Sequence, residues 1–318
     1  MEAKCRTSAV TRGLRRSLAV CACAATLLHG APAEDLVELK GHQGSVLCLA
    51  ASPQRRFGPA GDFTLVASGG ADGTLRFWDI AWVNRQTSGK EIRRLAGHAG
   101  AVTSVAFSPD GLALASAGAD GSVRLRNVAS GSALGTLHAH AGEVTAVLFA
   151  ADGRLLVSAG VDGTVRRWEA SIGKELSPPI RPGGPVRGLA LSDDGKLLAS
   201  GGDDGHVRHW RLPEGRELRT LHGHTAAVRS VAFNPNGSAV ASGSADGTVR
   251  VWERSTGEEV RTLHGHAGPV ERVAFTRDGS LVASGGTDGT VRFWAVHNGL
   301  ALRTLRAPAV QQAARGGG

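Results

Sequence analysis

The dipeptide Asp-Gly returns at Asp72, Asp120, Asp162, Asp204, Asp246 and Asp288, at intervals of 48, 42, 42, 42 and 42 residues. A period held this strictly across residues 36–306 of a 318-residue chain constrains the fold more than any other feature. It demands one small supersecondary unit built six times, each too short to bury a core alone, so that the units must stack. The agreement extends well beyond the dipeptide: DDGHVRHW ends at Trp210, ADGTVRVW at Trp252 and TDGTVRFW at Trp294.

Inside a unit, short runs alternate apolar with polar or small residues between turn formers, the pattern of strands in an antiparallel meander. Val228–Phe233 (VRSVAF) reads as a first strand and SAVASGS as a second. TVRVW, after the tight Asp-Gly turn, reads as a third and Glu259–Leu263 as a fourth. Four strands in about 42 residues leave little room for helix. The 45 glycines, with no collagen period, match the many turns such a chain needs.

Histidine and tryptophan keep fixed places around each turn. Gly-His pairs stand at Gly41-His42, Gly97-His98, Gly223-His224 and Gly265-His266, with Ala139-His140 as a variant. Trp78 is followed by Asp79, and Trp168, Trp210, Trp252 and Trp294 fill the same position in other units. On these residues the chain resembles the WD40 repeat family. The resemblance implies an all-β fold, a β-propeller of four-stranded antiparallel blades around a channel. Six blades are expected, with an incomplete seven-bladed ring as the alternative.

The resemblance also implies that a His, a Ser, an Asp and a Trp are hydrogen-bonded across the strands of each blade. The complete sets are His42, Ser68, Asp72 and Trp78; His140, Ser158, Asp162 and Trp168; His224, Ser242, Asp246 and Trp252; and His266, Ser284, Asp288 and Trp294. Blade 2 keeps His98, Ser116 and Asp120 but carries Arg126 in the Trp position. A pairing of Arg126 with Asp120 would mend it. Blade 4 keeps Ser200, Asp204 and Trp210 but has Pro182 in place of His. The frame is physically intelligible. A buried Asp is costly unless paired, a His bonded to it through one nitrogen can bond a hydroxyl through the other, and the hydroxyl can accept an indole N–H.

His, Ser and Asp together invite comparison with hydrolase triads. A catalytic site, however, needs one exposed nucleophile with an oxyanion hole, not a buried frame repeated from blade to blade, and no G-x-S-x-G elbow is present. The pairs His138/His140, His222/His224 and His264/His266 place two rings on one strand face, but the second ring of each is committed to its blade. Three of the four cysteines (Cys5, Cys21, Cys23) precede residue 24, leaving Cys48 alone in the body, which excludes a disulfide framework there. No catalytic residue, metal site or cofactor is read from the sequence.

What remains for function is a surface. The resemblance implies a platform for a protein or peptide partner, with contacts on the face bearing the Gly-His and Asp-Gly turns. Blades 1 and 2 offer small neutral groups there, whereas blades 3 to 6 offer Glu143, Arg187, Asp203, Arg229 and Glu271. A mixed-charge patch selects a polar or charged segment by charge register. It has no aromatic anchor, so either affinity is modest or the partner engages the insertions of blade 1: Pro53–Thr64, with Arg55, Arg56 and Phe57, and Ala81–Gly89, with Trp82. A merely solvated rim is the plain alternative. The rival functions are an enzyme, or a subunit of one, with a small-ligand site in the channel, and a structural subunit that self-associates through an open propeller edge.

The formal charge of +8 is unevenly spread. Residues 1–33 contain Lys4, Arg6, Arg12, Arg15 and Arg16 against Glu2 alone. The body shows no basic stripe with interleaved aromatics, so a nucleic-acid partner is disfavoured. The basic start, the apolar run from Leu18 to Leu28 and the Ala31-Pro32-Ala33 site read as a signal peptide for export, to the periplasm or outside the cell. The run is too short to be a transmembrane segment. Organelle targeting and a cytoplasmic location are the alternatives. The expected organisation is thus a targeting segment at 1–33, a propeller at 34–306 and a disordered tail at 307–318. Both propeller ends carry an outer-strand sequence, Leu36–Leu39 and Ala301–Leu305, and a six-bladed ring needs only one. A monomer, or weak self-association, is expected.

Overall fold

Each repeat folds as four consecutive strands, every one hydrogen-bonded to the next, because two-residue to five-residue turns allow nothing but antiparallel neighbours. Blade 1 contains β1 (Val46–Gly58), β2 (Gly61–Gly70), β3 (Leu75–Val83) and β4 (Gln86–Leu95). Blade 2 contains β5 (Val102–Phe107), β6 (Ala113–Gly118), β7 (Ser122–Asn127) and β8 (Ala133–His138). Blade 3 contains β9 (Val144–Phe149), β10 (Leu155–Gly160), β11 (Val165–Glu169) and β12 (Lys174–Glu175). Blade 4 contains β13 (Val186–Leu191), β14 (Leu197–Gly202), β15 (Val207–Arg211) and β16 (Arg216–Leu221). Blade 5 contains β17 (Val228–Phe233), β18 (Ala239–Ser244), β19 (Val249–Glu253) and β20 (Glu259–Leu263). Blade 6 contains β21 (Val270–Phe275), β22 (Leu281–Gly286), β23 (Thr290–Ala295) and β24 (Ala301–Arg306). The result is the expected all-β, six-bladed propeller of four-stranded antiparallel blades.

This computed structural model describes residues 39–306 except 59, 60, 84, 85, 177 and 213, and leaves aside the side chains of 55–63 and 82–87. The segments 1–33 and 307–318, residues 36–38, and the side chains of Arg55, Arg56, Phe57 and Trp82 lie outside the described residues.

The core lies between blades. Ala115, Val123 and Leu137 of blade 2 pack with Val144, Leu156 and Trp168 of blade 3 in one cluster. Val157 and Val165 of blade 3 pack with Val186, Leu198 and Trp210 of blade 4 in the next. This close stacking explains the small residues of the second strand in each blade. A methyl group on Gly243 would meet Val270 Cγ1 of the next blade at 2.7 Å, so a side chain there would push the blades apart. At the Asp-Gly turn the reason for glycine is conformational: Gly247 has φ +83°, a backbone state that other residues adopt at a cost.

The insertions of blade 1 are not the loops expected from the sequence. They extend the two hairpins of the blade, pairing Arg55 with Thr64 and Phe57 with Asp62, and Ala81 with Ser88 and Val83 with Gln86. The strands between follow, with Asp62 opposite Trp82. Added residues that continue an existing ladder satisfy their own backbone groups. In blade 6 the outer position is filled by β24, with Leu305 opposite Val291.

Candidate functional site

The repeated frame determines which side chains are left for function. In blade 5, His224 Nδ1 lies 2.8 Å from Asp246 Oδ2 and its Nε2 lies 2.8 Å from Ser242 Oγ. The indole N–H of Trp252 donates to the same Oγ at 2.8 Å. Blades 1, 3 and 6 repeat this, with His–Ser distances of 2.7, 2.9 and 2.7 Å and Trp–Ser distances of 2.8, 3.0 and 2.8 Å. One assignment of hydrogens satisfies the whole chain. The indole donates to Ser, the Ser hydroxyl to His Nε2, and His Nδ1–H to the carboxylate.

That order of donors is the order in a hydrolytic triad. Access is what differs. Ser158, Ser242 and Ser284 are 0% exposed, and their oxygen already accepts an indole N–H, so no substrate carbonyl can reach it. The His–Ser–Asp sets therefore brace the blades. The paired histidines divide in the same way: His140 and His266 are bound into their frames, whereas His222 lies edge-on to His206, ring centres 4.4 Å apart.

Sequence reasoning missed a fifth member. In five blades the hydroxyl two residues after the frame Asp, on Thr74, Ser122, Thr164, Thr248 or Thr290, donates to that carboxylate at 2.7 to 2.8 Å. The backbone N–H following the His, from Gln43, Ala99, Ala141, Thr225 or Ala267, donates as well. The signal was present, since the turns read Asp-Gly-Thr or Asp-Gly-Ser in five units. Burial alone would raise these carboxyl groups, but the donors outweigh it and hold Asp72, Asp162, Asp246 and Asp288 at about 2. Burial dominates at His98, His140, His224 and His266 and lowers each, against the opposing pull of its Asp.

The Gly-His glycine also finds its reason here. A methyl on Gly223 would meet the Trp252 ring at 2.9 Å, and one on Gly265 the Trp294 ring at 3.1 Å. The third-strand arginines are structural too. Arg76 pairs with Glu91 at 2.5 Å, Arg166 with Glu175 at 3.0 Å and Arg208 with Asp204 at 2.7 Å, while Arg292 lies over the Trp294 ring.

The two incomplete frames are resolved differently. In blade 2 the expected pairing of Arg126 with Asp120 does not form. Arg124 is the residue near Asp120, at 3.8 Å, because strand alternation puts positions 124 and 126 on one face with 124 nearer the turn. Arg126 instead donates to the carbonyls of Ala96 and Gly131. In blade 4, with Pro182 buried in the His position, Asp204 turns to Arg208, and Trp210 still donates to Ser200 at 2.8 Å.

On the turn face, four of the five expected charges are drawn into two ion pairs. Arg187 grips Asp203 through both ends of its guanidinium, Nε to Oδ1 and Nη2 to Oδ2, each at 2.7 Å. The bidentate bond first, and then the charges of Asp203 and Glu143, make Arg187 more basic than usual. Arg229 of blade 5 reaches across to Glu271 of blade 6 at 3.2 Å. Glu143 adds its charge to the first pair from further off. The patch thus carries alternating charge over blades 3 to 6, with four of its five charges paired to one another.

Among the described residues no helix is long and apolar enough to cross a membrane.

The family model described as "WD domain, G-beta repeat" matches residues 33–79, 89–127, 131–169, 180–211, 215–253 and 257–295. Among curated proteins, the chain is 31% identical over 101 residues to WD repeat-containing protein 90 of Xenopus tropicalis, covering 32% of this chain and 5% of that protein. It is 33% identical over 94 residues to a guanine nucleotide-binding protein subunit beta of Oryza sativa subsp. japonica, covering 30% of this chain and 22% of the relative. It is 35% identical over 95 residues to small ribosomal subunit protein RACK1y of the same organism, covering 30% and 25%. The chain therefore spans a quarter or less of the length of these relatives.

Proposed function

The chain belongs to the WD40 repeat family, and from that premise we propose that it is a non-catalytic platform that binds a protein or peptide partner on the turn face of blades 3 to 6. The ordered charge pattern of Glu143, Arg187, Asp203, Arg229 and Glu271 carries this reading, with the bidentate Arg187–Asp203 pair at its centre. Such a surface rewards a segment whose own charges alternate in register and repels one whose charges are out of step. Similarity to interaction proteins of the same repeat type supports a binding role. The buried frame offers no nucleophile to a substrate. We further propose that residues 1–33 direct the chain out of the cytoplasm, which N-terminal sequencing of the mature protein tests.

The test of the platform is affinity capture from native extract with the wild-type chain and an Arg187→Glu/Arg229→Glu variant of unchanged circular dichroism. Proteins retained by the wild type and lost by the variant are expected. Equal retention by both would move the site away from this face, and no retention by either would count against the platform.

A further inference from the structure

In five blades the third-strand arginine is held by a neighbour from its own blade. Arg76 pairs with Glu91 at 2.5 Å, Arg166 with Glu175 at 3.0 Å, and Arg250 with Glu259. Each of these glutamates lies on the outer strand, opposite the frame Trp: Glu91 opposite Trp78, Glu175 opposite Trp168 and Glu259 opposite Trp252. In blade 4, Arg208 pairs with Asp204 at 2.7 Å. In blade 6, Ala301 stands opposite Trp294, and Arg292 lies over the indole, 6.0 Å from the ring centre.

Blade 2 has neither support. Ala133 stands opposite Arg126 in the pairing of β7 with β8, so the glutamate and the tryptophan are both replaced. Arg124 keeps only Asp120, at 3.8 Å. That carboxylate already accepts from His98, Ser122 and the Ala99 N–H. Among the described residues Arg126 has no ion pair; it donates to the carbonyls of Ala96 and Gly131. A guanidinium has five N–H donors in a fork, so most donors of these two side chains are left over.

The two guanidinium groups converge. A methyl on Gly97 would meet Arg126 Nη2 at 2.7 Å and Arg124 Nη1 at 3.4 Å. On the corresponding Gly41 of blade 1 it would meet Arg76, Glu91 Oε2 at 2.9 Å and the Trp78 ring at 3.0 Å. Beside the same glycine, then, blade 1 sets a carboxylate against a cation and blade 2 sets a cation against a cation. Burial first, and then the Arg124 charge, disfavour the Arg126 cation, and an anion beside the pair would oppose both. An open cleft of about 10 Å³ runs past Gly97, Arg124 and Arg126, with room for about one oxygen atom.

We propose that Arg124 and Arg126 of blade 2 bind a carboxylate brought by a partner, the side chain of a glutamate in a peptide segment, where the outer-strand glutamate sits in blades 1, 3 and 5. Those blades supply the precedent for the ligand, since the same arginine on the same strand meets a carboxylate there at 2.5 and 3.0 Å. Arg126, in the Trp position, adds a second charge that the other blades do not have. The guanidinium fork matches the two oxygens of a carboxylate. The cleft admits one of these oxygens and leaves the other at its mouth. The site lies apart from the charges of blades 3 to 6 and does not depend on their role.

Arginine side-chain NMR of the full chain tests this, through the Nε–H signals of Arg124 and Arg126 assigned by substitution. The probe is a blocked tripeptide, acetyl-Ala-Glu-Ala-amide, compared at matched ionic strength with its Gln counterpart and with inorganic phosphate. The expected result is a saturable shift of both signals with the Glu peptide and none with the Gln peptide. Arg124→Gln should weaken binding, read at the Arg126 signal, by about tenfold, the contribution of one charged hydrogen bond. Ala133→Glu supplies a carboxylate from the chain itself and should abolish the response while raising Tm. If that variant fails to fold, Arg124→Gln decides the comparison. No shift with the Glu peptide overturns the proposal. So does an equal shift with the Gln peptide, a response to phosphate alone, or binding undiminished in the folded variants.

Discussion

Arg126 donates to the carbonyl oxygen of Ala96 at 3.0 Å, and by doing so it fastens the entrance of blade 2 without completing its frame. Ser116 and His98 remain bonded at 2.9 Å, but among the described residues no indole donates to the Ser oxygen. A small open cleft of about 10 Å³ lies beside Gly97, His98 and Arg126. Burial, with the neighbouring Arg124 charge, lowers the affinity of Arg126 for its proton, so the site is a poor one for a cation.

Arg126→Trp is therefore expected to stabilise the protein. It supplies the donor to Ser116 and replaces a cation that burial disfavours with apolar surface, at the loss of two hydrogen bonds to carbonyls. A gain of about 1–2 kcal/mol corresponds to a rise of about 2–4 °C in Tm. Calorimetry of the two proteins decides it, and an unchanged or lower Tm contradicts the view that this residue weakens blade 2.

His209 occupies a position held by Phe77, Leu125, Val251 and Phe293 in four other blades and by Arg167 in blade 3. It is 3% exposed and its Nε2 has no hydrogen-bond partner among the described residues. Burial, followed by the charges of Arg219 and Arg254, pushes it down to about 4. His209→Val removes an unpaired buried polar atom and should add about 1–3 kcal/mol. Chemical denaturation at neutral pH measures this; a loss of stability would mean that the packing of the His209 ring against Phe233, centroids 6.0 Å apart, outweighs the unpaired nitrogen.

The frames predict an unequal pair of losses. Ser242→Ala strands both His224 Nε2 and the Trp252 N–H, whereas Ser200→Ala in blade 4 strands only the Trp210 N–H. Each stranded group costs about 1–3 kcal/mol. Ser242→Ala should therefore lower the urea midpoint more than Ser200→Ala. Equal losses would show that the His–Ser bond contributes nothing.

Acid should destabilise the protein in two stages. His98, His140, His209, His224 and His266 bind protons less readily folded than unfolded, so the unfolded chain takes up protons first as pH falls through about 6.5. Stability present above that value is lost, and at His209 the loss continues to about 4. The frame carboxylates held at about 2 then contribute a second loss, beginning near the ordinary Asp value of about 3.9. Urea midpoints from neutral to acid pH measure both stages, and His209→Val should flatten part of the first. Stability that is constant between pH 7 and 5 contradicts the assignment of neutral, buried histidines.

Much of this was legible in the sequence for a physical reason: a repeated unit writes its constraints six times. The strand at Val228–Phe233 could be read because its alternation recurs at Val270–Phe275, and the frame around Trp252 because it recurs around Trp294. What broke the period was harder to read. The insertions at Pro53–Thr64 and Ala81–Gly89 looked like loops because nothing in one copy shows that two hairpins grow together. The partner of Arg126 was misplaced because distance from the turn, not proximity in sequence, decides which arginine meets Asp120. At Gly289 of blade 6 a methyl would meet none of the described residues within 4 Å, unlike one at Gly247 of blade 5, and nothing in the two matching turn sequences marks the difference.

On the proposed reading the frames hold the blades while the charges of blades 3 to 6 bind. One side-by-side capture from native extract tests it, using folded Ser242→Ala and Arg187→Glu/Arg229→Glu at a temperature below both transitions. The predicted result is that Ser242→Ala retains the wild-type set of bound proteins and the charge-reversed chain loses it. The opposite pattern, with binding lost on removal of a buried hydroxyl and kept on reversal of the surface charges, would contradict the account.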